Sequence, residues 1–201
     1  MKLLGKVGIF INTRKNVLER KGKMTELLKI QDFDQMYAIM EASFPDDEYR
    51  GYEGQRQLFE NPEYKVFIHR NEETKEIDGF LSAWEFDDIL FFEHFAVSSK
   101  VRNGGIGGRM LREILTQVNK LTCLEVELPE GELEKRRISF YERNGFFYNP
   151  YPYTQPSIAP GRKPIPLRIM TYKRTITETE YQKIKNLLYR RVYHVSEQQM
   201  K

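Results

Sequence analysis

The residues best suited to chemistry form a glycine-rich run in the middle of the chain, Arg102-Asn103-Gly104-Gly105-Ile106-Gly107-Gly108-Arg109. The run follows the strand-like segment 89–97 and precedes a helical pattern of apolar residues, namely Met110, Leu111, Ile114, Leu115 and Val118. A helix start exposes unpaired backbone N–H groups and the positive end of the helix dipole, and glycines let an anion approach the backbone closely. This pattern predicts a site for a phosphate-bearing ligand, to which the two arginines add positive charge.

The spacing of the glycines distinguishes this run from two common phosphate-binding motifs. A dinucleotide-binding fingerprint needs Gly-x-Gly-x-x-Gly, but Met110 stands in the third position when counting begins at Gly105. A Walker loop needs Gly-Lys-Ser or Gly-Lys-Thr, which is absent here. The spacing that fits is Arg-x-x-Gly-x-Gly, at Arg102, Gly105 and Gly107.

A second motif lies downstream, where the helical pattern from Glu134 ends in Phe140-Tyr141-Glu142-Arg143-Asn144-Gly145-Phe146. A glycine followed by aromatic residues is an ordinary helix stop signal. Together the two motifs resemble the GNAT superfamily of acyl-CoA N-acyltransferases, which carries Arg/Gln-x-x-Gly-x-Gly/Ala and then Phe-Tyr-x-x-x-Gly-Phe. The resemblance covers roughly residues 24–174.

The resemblance implies that the run from Arg102 to Gly108 binds the pyrophosphate of acetyl-CoA, and that backbone N–H groups near Phe95, Ala96 and Val97 hold the oxyanion of the reaction, where a bulge is expected. It also implies that Tyr141 points at the thioester sulfur. A phenol, with a pKa of about 10, is a weaker acid than a thiol at about 8.5. Tyr141 is therefore expected to work mainly by donating a hydrogen bond to the sulfur.

The acceptor of an N-acyltransferase is an amine, which must lose a proton before it attacks. Only about one part in a thousand of an alkyl amine is unprotonated at neutral pH. Glu93 is the candidate base, because a regular strand would place it on one face with Phe95 and Val97 and place His94 on the opposite face. It would act directly or through a water. An exposed strand carboxylate is the alternative interpretation of Glu93.

Direct transfer in a ternary complex is expected, because no nucleophile with a paired base is visible in the sequence. No metal site is expected, since His69 and His194 have no neighbours at metal-ligand spacing. Two other functions stay open. One is a CoA-binding regulatory or interaction protein without turnover, and the other is a nucleotide-phosphate binder outside the family.

Two further segments are expected to line the acceptor cleft. Residues 46–56 are acidic, with Asp46, Asp47, Glu48 and Glu53 against Arg50 and Arg56, which favours a cationic amine. Residues 148–166 interleave tyrosines with prolines, and such density of proline gives a stiff loop. This loop could form an acceptor wall, a subunit contact or a solvated surface.

The surrounding pattern predicts an α/β fold, with a mostly antiparallel mixed sheet of six to seven strands flanked by helices. Strands are expected at residues 25–30, 64–70, 77–86, 89–97, 121–127 and 167–172. Helices are expected from Asp32 to Met40, over 48–60 and on either side of the strand at 121–127. Thr177 should cap an extra helix from Glu178 to about Tyr193, which would pack on its own domain or on a partner subunit of a homodimer.

The length and composition of the chain limit its domain organisation, partners and cellular compartment. Its 201 residues suffice for one domain, here assigned to 24–174, with an N-terminal extension at 1–23 and a C-terminal helical extension at 175–201. A formal charge of +3 is too small to argue for nucleic acid or a membrane surface. The single Cys123 cannot form an internal disulfide, so we expect a buried structural thiol and a cytoplasmic protein.

Overall fold

The computed structural model of the protein describes residues 23–101 and 104–196. Residues 1–22, which make up nearly all of the expected N-terminal extension, lie outside the described residues. The described strands are β1 (Glu26–Leu27), β2 (Tyr64–Arg70), β3 (Ile77–Glu85), β4 (Ile89–Val97), β5 (Leu121–Glu127), β6 (Phe146–Tyr148), β7 (Tyr153–Gln155) and β8 (Ile165–Tyr172). The α-helices are α1 (Phe33–Glu41), α2 (Tyr52–Gln57), α3 (Ile106–Thr116), α4 (Glu132–Arg143) and α5 (Glu178–Arg191).

All eight strands join one sheet in the order β1-β2-β3-β4-β5-β8-β6, and β7 pairs with β8 beside it. Within the described residues only β4 and β5 run parallel, and the other pairs are antiparallel. The predicted fold class is therefore confirmed. Strands β6 and β7 lie outside the expected ranges, because three residues each are too few to show an alternating pattern.

The sheet is covered by helices on both faces, which gives three layers. On the first face, Phe80, Trp84 and Phe91 of the sheet pack in one cluster with residues of α1 and α5, including Phe33, Met36, Ile184 and Leu188. On the second face, Leu81, Leu124 and Met170 pack with residues of α3 and α4, including Leu111, Ile114 and Ile138. Helices α3 and α4 carry the two sequence motifs, so the motifs lie on the same side of the sheet.

The parallel pair in the middle of the sheet is short. It joins Ile89–Phe92 of β4 to Leu121–Leu124 of β5, and the two strands continue without pairing to Val97 and Glu127. The strands therefore diverge over their carboxyl-terminal halves. A gap opens in the sheet at this point, and the functional site described below lies there.

A β-bulge interrupts β4 one residue after its pairing with β5 ends. Ser82 of β3 is opposite His94, while the next residue, Ala83, is opposite Phe92, so Glu93 is the extra residue. The bulge was expected near Phe95 to Val97 and lies earlier. It also overturns the expected alternation, because Glu93 contacts Trp84 and His94 contacts Ser82 on the first face, whereas Phe95 packs on the second. Glu93 therefore shares a face with His94 and not with Phe95.

Helix α5 begins as the sequence predicts. Thr177 Oγ1 accepts a hydrogen bond from the Glu180 backbone N–H, and the Glu180 side chain accepts one from the Thr177 N–H in return, which is a capping box. Its apolar face packs on the first face of the same chain's sheet, where Tyr181, Ile184, Leu188 and Val192 are all buried. The helix is thus part of the domain core rather than a free appendage.

Replacing Ile184 with alanine should test this packing, because Ile184 is only 1% exposed. We expect the free energy of unfolding to fall by about 2–5 kcal/mol, the usual cost of such a truncation in a core. The exposed neighbour Lys183 provides the control, since Lys183→Ala should change stability by less than about 0.5 kcal/mol. Urea unfolding measures both. Equal stability of the two variants would show that α5 does not pack on the core in solution.

Candidate active site

A cavity of about 450 Å³ occupies the gap between β4 and β5. Strand residues from Glu93 to Val97 line one side of it and residues from Glu125 to Glu127 line the other. Helix α4 contributes Leu133, Arg137 and Tyr141, and the remaining lining residues are Ala42, Ser43, Phe44, Glu48, Gln155, Ile158, Ile165 and Leu167. This volume is in the range of sites that bind small molecules.

The glycine-rich run lies at the start of α3, beside the end of β4. A side-chain Cβ added at Gly107 would lie 3.4 Å from Val97 Cγ2 and 3.5 Å from Phe95 Cζ. Gly105 is the N-cap residue with φ of +70°, a left-handed conformation that L side chains rarely adopt. Gly105 therefore has a backbone reason to be glycine, in addition to the close ligand approach that its motif predicts.

Positive charge and polar backbone meet at this helix start. Arg109 Nη1 donates a hydrogen bond to the Gly104 carbonyl oxygen at 2.8 Å, which holds the guanidinium beside the exposed turn. Arg102 and Asn103, both expected to contact the cofactor, lie outside the described residues. What the described part provides is an uncapped helix start next to the cavity, an arrangement that suits a phosphate.

Glu93 is held by an ion pair inside the cavity wall. Its side chain is 3% exposed, so it is not the exposed strand carboxylate that the sequence left open. Oε1 accepts a hydrogen bond from Arg50 Nη1 at 2.7 Å, and Oε2 accepts one from Trp84 Nε1 at 2.9 Å. Burial alone would raise the pKa of Glu93, but Arg50, His94 and these hydrogen bonds together hold it below its ordinary value. Glu93 is therefore ionised at neutral pH.

His94 is a buried neutral imidazole. Its Nε2 lies 2.8 Å from the Glu48 carbonyl oxygen, to which it donates, and its Nδ1 lies 3.3 Å from Ser82 Oγ. Burial lowers the pKa of His94 more than the nearby Glu93 carboxylate raises it. Both ring nitrogens have polar partners on the first face, so His94 has a structural role in packing that face.

Tyr141 reaches the cavity from α4. Its ring makes edge contacts with Phe140 and Phe146, at centroid distances of 5.3 Å and 5.7 Å. Burial raises the pKa of Tyr141 to about 12, although the nearby Arg137 charge opposes this. The phenol is therefore protonated at neutral pH and can donate a hydrogen bond into the cavity.

Glu125 of β5 is a site residue that the sequence reasoning missed. Its Oε2 accepts a hydrogen bond from the Tyr193 hydroxyl at 2.7 Å, and its Oε1 is buried with no hydrogen-bond partner among the described residues. Burial raises the pKa of Glu125 to about 7. A signal existed in the sequence, because strand alternation places Glu125 on the same face as the buried Cys123, where a carboxylate is out of place in a core.

The cavity carries an excess of negative charge. Among the described lining residues, Glu48, Glu93, Glu125 and Glu127 stand against one cation, Arg137, which pairs with Glu127. Of the acidic segment 46–56, Glu48 reaches the cavity, while Arg50 is drawn inward by Glu93 and Asp46 lies 3.6 Å from Arg162. Burial and the Glu127 charge raise the pKa of Glu48.

The tyrosine- and proline-rich segment 148–166 packs on the domain and helps to enclose the cavity. Gln155, Ile158 and Ile165 line the cavity wall, and Tyr153 is buried. The segment is fastened to α5, since the Tyr189 hydroxyl donates to the Thr154 carbonyl oxygen at 2.5 Å. Of the three interpretations that the sequence left open, the cavity wall matches these contacts.

The residues after α5 extend into the same region. Arg50, which pairs with Glu93, also donates from Nη2 to the Val192 carbonyl oxygen at 3.1 Å. The next residue, Tyr193, holds Glu125. The C-terminal segment thus contacts Arg50, which pairs with Glu93, and contacts Glu125 directly.

The described residues were also examined for metal-ligand clusters and for membrane-spanning helices. Residues 23–101 and 104–196 contain no cluster of three side chains suited to hold a metal ion. In the same part of the chain, the helices are too short or too polar to cross a membrane.

Comparisons with known proteins agree with the geometry. A family model for an acetyltransferase (GNAT) domain matches residues 62–147. A putative acetyltransferase of the GNAT family from Bacteroides thetaiotaomicron is 31% identical, and the alignment covers 86% of this chain and 99% of that chain with a TM-score of 0.78. A search of curated proteins found no match.

Two more distant solved structures share the fold. An aminoglycoside 6′-N-acetyltransferase complexed with coenzyme A is 16% identical, covering 74% of this chain and 96% of that chain with a TM-score of 0.56. The ribosomal-protein-S18-alanine N-acetyltransferase from Escherichia coli is 17% identical, covering 76% of this chain and 94% of that chain with a TM-score of 0.56.

Removing the partner of Glu93 should be costly. Arg50→Met leaves a buried carboxylate unpaired, so we expect a loss of about 3–5 kcal/mol in unfolding free energy at pH 7. Because the pKa of Glu93 is lowered by folding, its ion pair stabilises above the unfolded pKa of about 4.3 and is lost as pH falls through the folded value. The difference between wild type and variant should therefore shrink in acid.

Denaturant unfolding across pH measures this difference, and a double variant provides the control. Adding Glu93→Gln to Arg50→Met removes the unpaired charge and should recover part of the stability at pH 7. A double variant no more stable than Arg50→Met alone would show that the two side chains do not form the ion pair seen here.

Proposed function

The chain belongs to the GNAT superfamily of acetyltransferases, as its two motifs predicted, and on that premise we propose that it transfers the acetyl group of acetyl-CoA to a primary amine of a small molecule or peptide. The observation that carries the choice of acceptor is the acidic cavity, in which four glutamates face one arginine. Such a site attracts a cationic amine and disfavours an anionic acceptor.

Acetyl-CoA supplies the acetyl group as a co-substrate. In this proposal the run Arg102, Asn103, Gly104, Gly105, Ile106, Gly107 and Gly108 binds its pyrophosphate. Support comes from the described part of the run, which starts a helix beside the cavity and carries the cation Arg109. The acyl group then lies along Phe95, Ala96 and Val97, at the strand edge that faces the gap.

The acetyl group passes directly from sulfur to nitrogen in a ternary complex. Covalent catalysis finds no support among the described residues, because Cys123 is fully buried and burial raises the pKa of its thiol. Tyr141 acts on the leaving group. Its raised pKa keeps the phenol protonated, so it donates a hydrogen bond to the sulfur as negative charge develops there.

The amine must lose a proton in the cavity, and two carboxylates are candidates for accepting it. Glu93 is the candidate from the sequence and would act through a water, since both of its oxygens already accept hydrogen bonds. Glu125 is the candidate from the tertiary structure.

Gly105→Glu tests the cofactor site. A carboxylate at the helix start opposes the pyrophosphate, and like-charge contact costs several kcal/mol, so we expect acetyl-CoA to bind at least about 100-fold more weakly. Gly161→Glu is the matched control, because Gly161 also has a positive φ of +83° but lies in open space on the surface. Isothermal titration calorimetry should find its affinity within about threefold of wild type. Equal affinities in the two variants would contradict the proposed pyrophosphate site.

Tyr141→Phe separates an enzyme from a CoA-binding protein without turnover. Loss of the hydrogen bond to sulfur should lower kcat by about 10–100-fold and leave acetyl-CoA affinity within about threefold. Tyr172→Phe is the control, since Tyr172 belongs to the same aromatic cluster but does not line the cavity. A panel of polyamines, amino acids and lysyl peptides supplies the acceptors. Acetyl-CoA binding without transfer to any of them would favour the regulatory protein instead.

A further inference from the structure

We propose that Glu125, rather than Glu93, is the general base that takes the proton from the amine, and that Tyr193 from the C-terminal segment positions it. The inference rests on the proposed acetyl transfer and deepens it by assigning the proton acceptor. Glu93 then keeps a fixed negative charge in the wall and anchors Arg50. Both carboxylates line the same cavity from opposite strands, so the geometry of their oxygens decides between them.

The oxygens of the two carboxylates differ in what they already bind. Glu93 accepts a hydrogen bond from a guanidinium at one oxygen and from an indole N–H at the other. Glu125 accepts a hydrogen bond from the Tyr193 hydroxyl at Oε2, and its Oε1 is buried with no hydrogen-bond partner in the part of the chain that the structure describes. A buried polar atom without a partner is unusual in a native structure and points to a role for which it is kept free. In this cavity, the ammonium group of the acceptor can donate a hydrogen bond to Oε1.

The groups around Glu125 come from several elements. The hydroxyl of Tyr153 on β7 interacts with it, although neither that hydroxyl nor Oε1 makes a hydrogen bond of ordinary geometry. Tyr193 approaches from the segment after α5, Glu93 and Arg50 lie across the gap, and Cys123 lies on its own strand. The nearby cation Arg50 is paired with Glu93, and Glu125 has no ion pair with any described residue.

This environment sets the proton affinity of Glu125. Burial raises its pKa, the Tyr153 and Tyr193 hydroxyls lower it, Glu93 raises it and Arg50 lowers it, with a result of about 7. A base is most effective when its pKa is close to the working pH, because it is then both ionised and basic. Glu93, with a pKa below its ordinary value, is ionised but weakly basic.

Glu125 removes one proton from the bound ammonium, and the freed lone pair forms a bond to the thioester carbonyl carbon. The C–S bond breaks as the tetrahedral oxyanion collapses, and its electron pair leaves on the sulfur. The nitrogen loses a second proton, which the sulfur gains directly or through Tyr141. Glu125 returns its proton to solvent, so the products are the acetamide, CoA thiol and one proton.

The test compares Glu125→Gln and Glu93→Gln by the pH dependence of kcat/KM with the best cationic acceptor of wild type. Wild type should show an acid limb near pH 7, where Glu125 ionises, well below the ionisation of the amine itself at about 10. Glu125→Gln should lose this limb and lower kcat at pH 7 by about 10²–10⁴-fold, while acetyl-CoA affinity is retained. Glu93→Gln should keep the limb and move it to lower pH, since removing a nearby negative charge eases ionisation.

Two further variants separate a positioning role from a structural one. Tyr193→Phe removes a hydrogen bond to the ionised carboxylate, so it should move the acid limb to higher pH and not abolish it. Glu125→Asp keeps a carboxylate and should restore part of the rate that Glu125→Gln loses. Glu130→Gln, an exposed turn residue outside the cavity, should leave rate and profile unchanged.

The outcomes distinguish a failure of the base assignment from a failure of the proposed acetyl transfer. Transfer by Glu125→Gln at the wild-type rate with an intact acid limb would overturn the base assignment and leave the acetyltransferase standing. Loss of the limb in Glu93→Gln with its retention in Glu125→Gln would return the role to Glu93. A wild-type protein that binds acetyl-CoA but acetylates no amine of the panel would overturn the proposed function and the base assignment together.

Discussion

The end of pairing between β4 and β5 is the constraint on which the site depends. Hydrogen-bonded strands lie about 4.8 Å apart and leave no room for a ligand. Beyond Phe92 and Leu124 this ladder stops, and the strand ends separate around the cavity. The remaining elements surround this gap. Helix α3 starts beside one edge, Tyr141 of α4 lines the cavity, and the segment 148–166 closes another side.

The gap also has a buried carboxylate on each of its two strands, and the two are stabilised in different ways. Buried carboxylates are costly unless they are paired or protonated. Glu93 is paired with Arg50 and stays ionised, whereas Glu125 interacts with the Tyr193 and Tyr153 hydroxyls, forms no ion pair with a described residue and has a pKa of about 7. Two carboxylates whose environments push their pKa values apart are a recurring feature of acid and base catalysis. Glu93 is the extra residue of the bulge in β4, and its side chain pairs with Arg50 on the first face of the sheet.

The C-terminal segment connects stability to the site. Helix α5 packs its apolar face into the core, and the residues that follow it reach Arg50 through the Val192 carbonyl and Glu125 through Tyr193. These residues lie outside the region that the family model matches, residues 62–147. The common domain thus supplies the cofactor motifs and both strands of the gap, while the later part of the chain adjusts the charges within it.

Features set by neighbouring residues could be read from the sequence: the strands, the glycine-rich start of α3, the stop signal of α4 after Tyr141 and the Thr177 cap of α5. Each depends on local backbone preferences, periodicity or a short motif. The Arg50–Glu93 pair and the Tyr193–Glu125 hydrogen bond could not, because each joins segments far apart in the chain. The position of the bulge could not either, because it depends on how β3 and β4 pair rather than on a residue pattern within β4. Regular alternation wrongly put Glu93 on one face with Phe95, since one extra residue in β4 reverses the pattern beyond it. The sequence by itself therefore determined the fold and the cofactor motifs, while the tertiary structure decided which carboxylate is neutralised and which is left with a free oxygen, because burial and long-range pairing set the proton affinity of each.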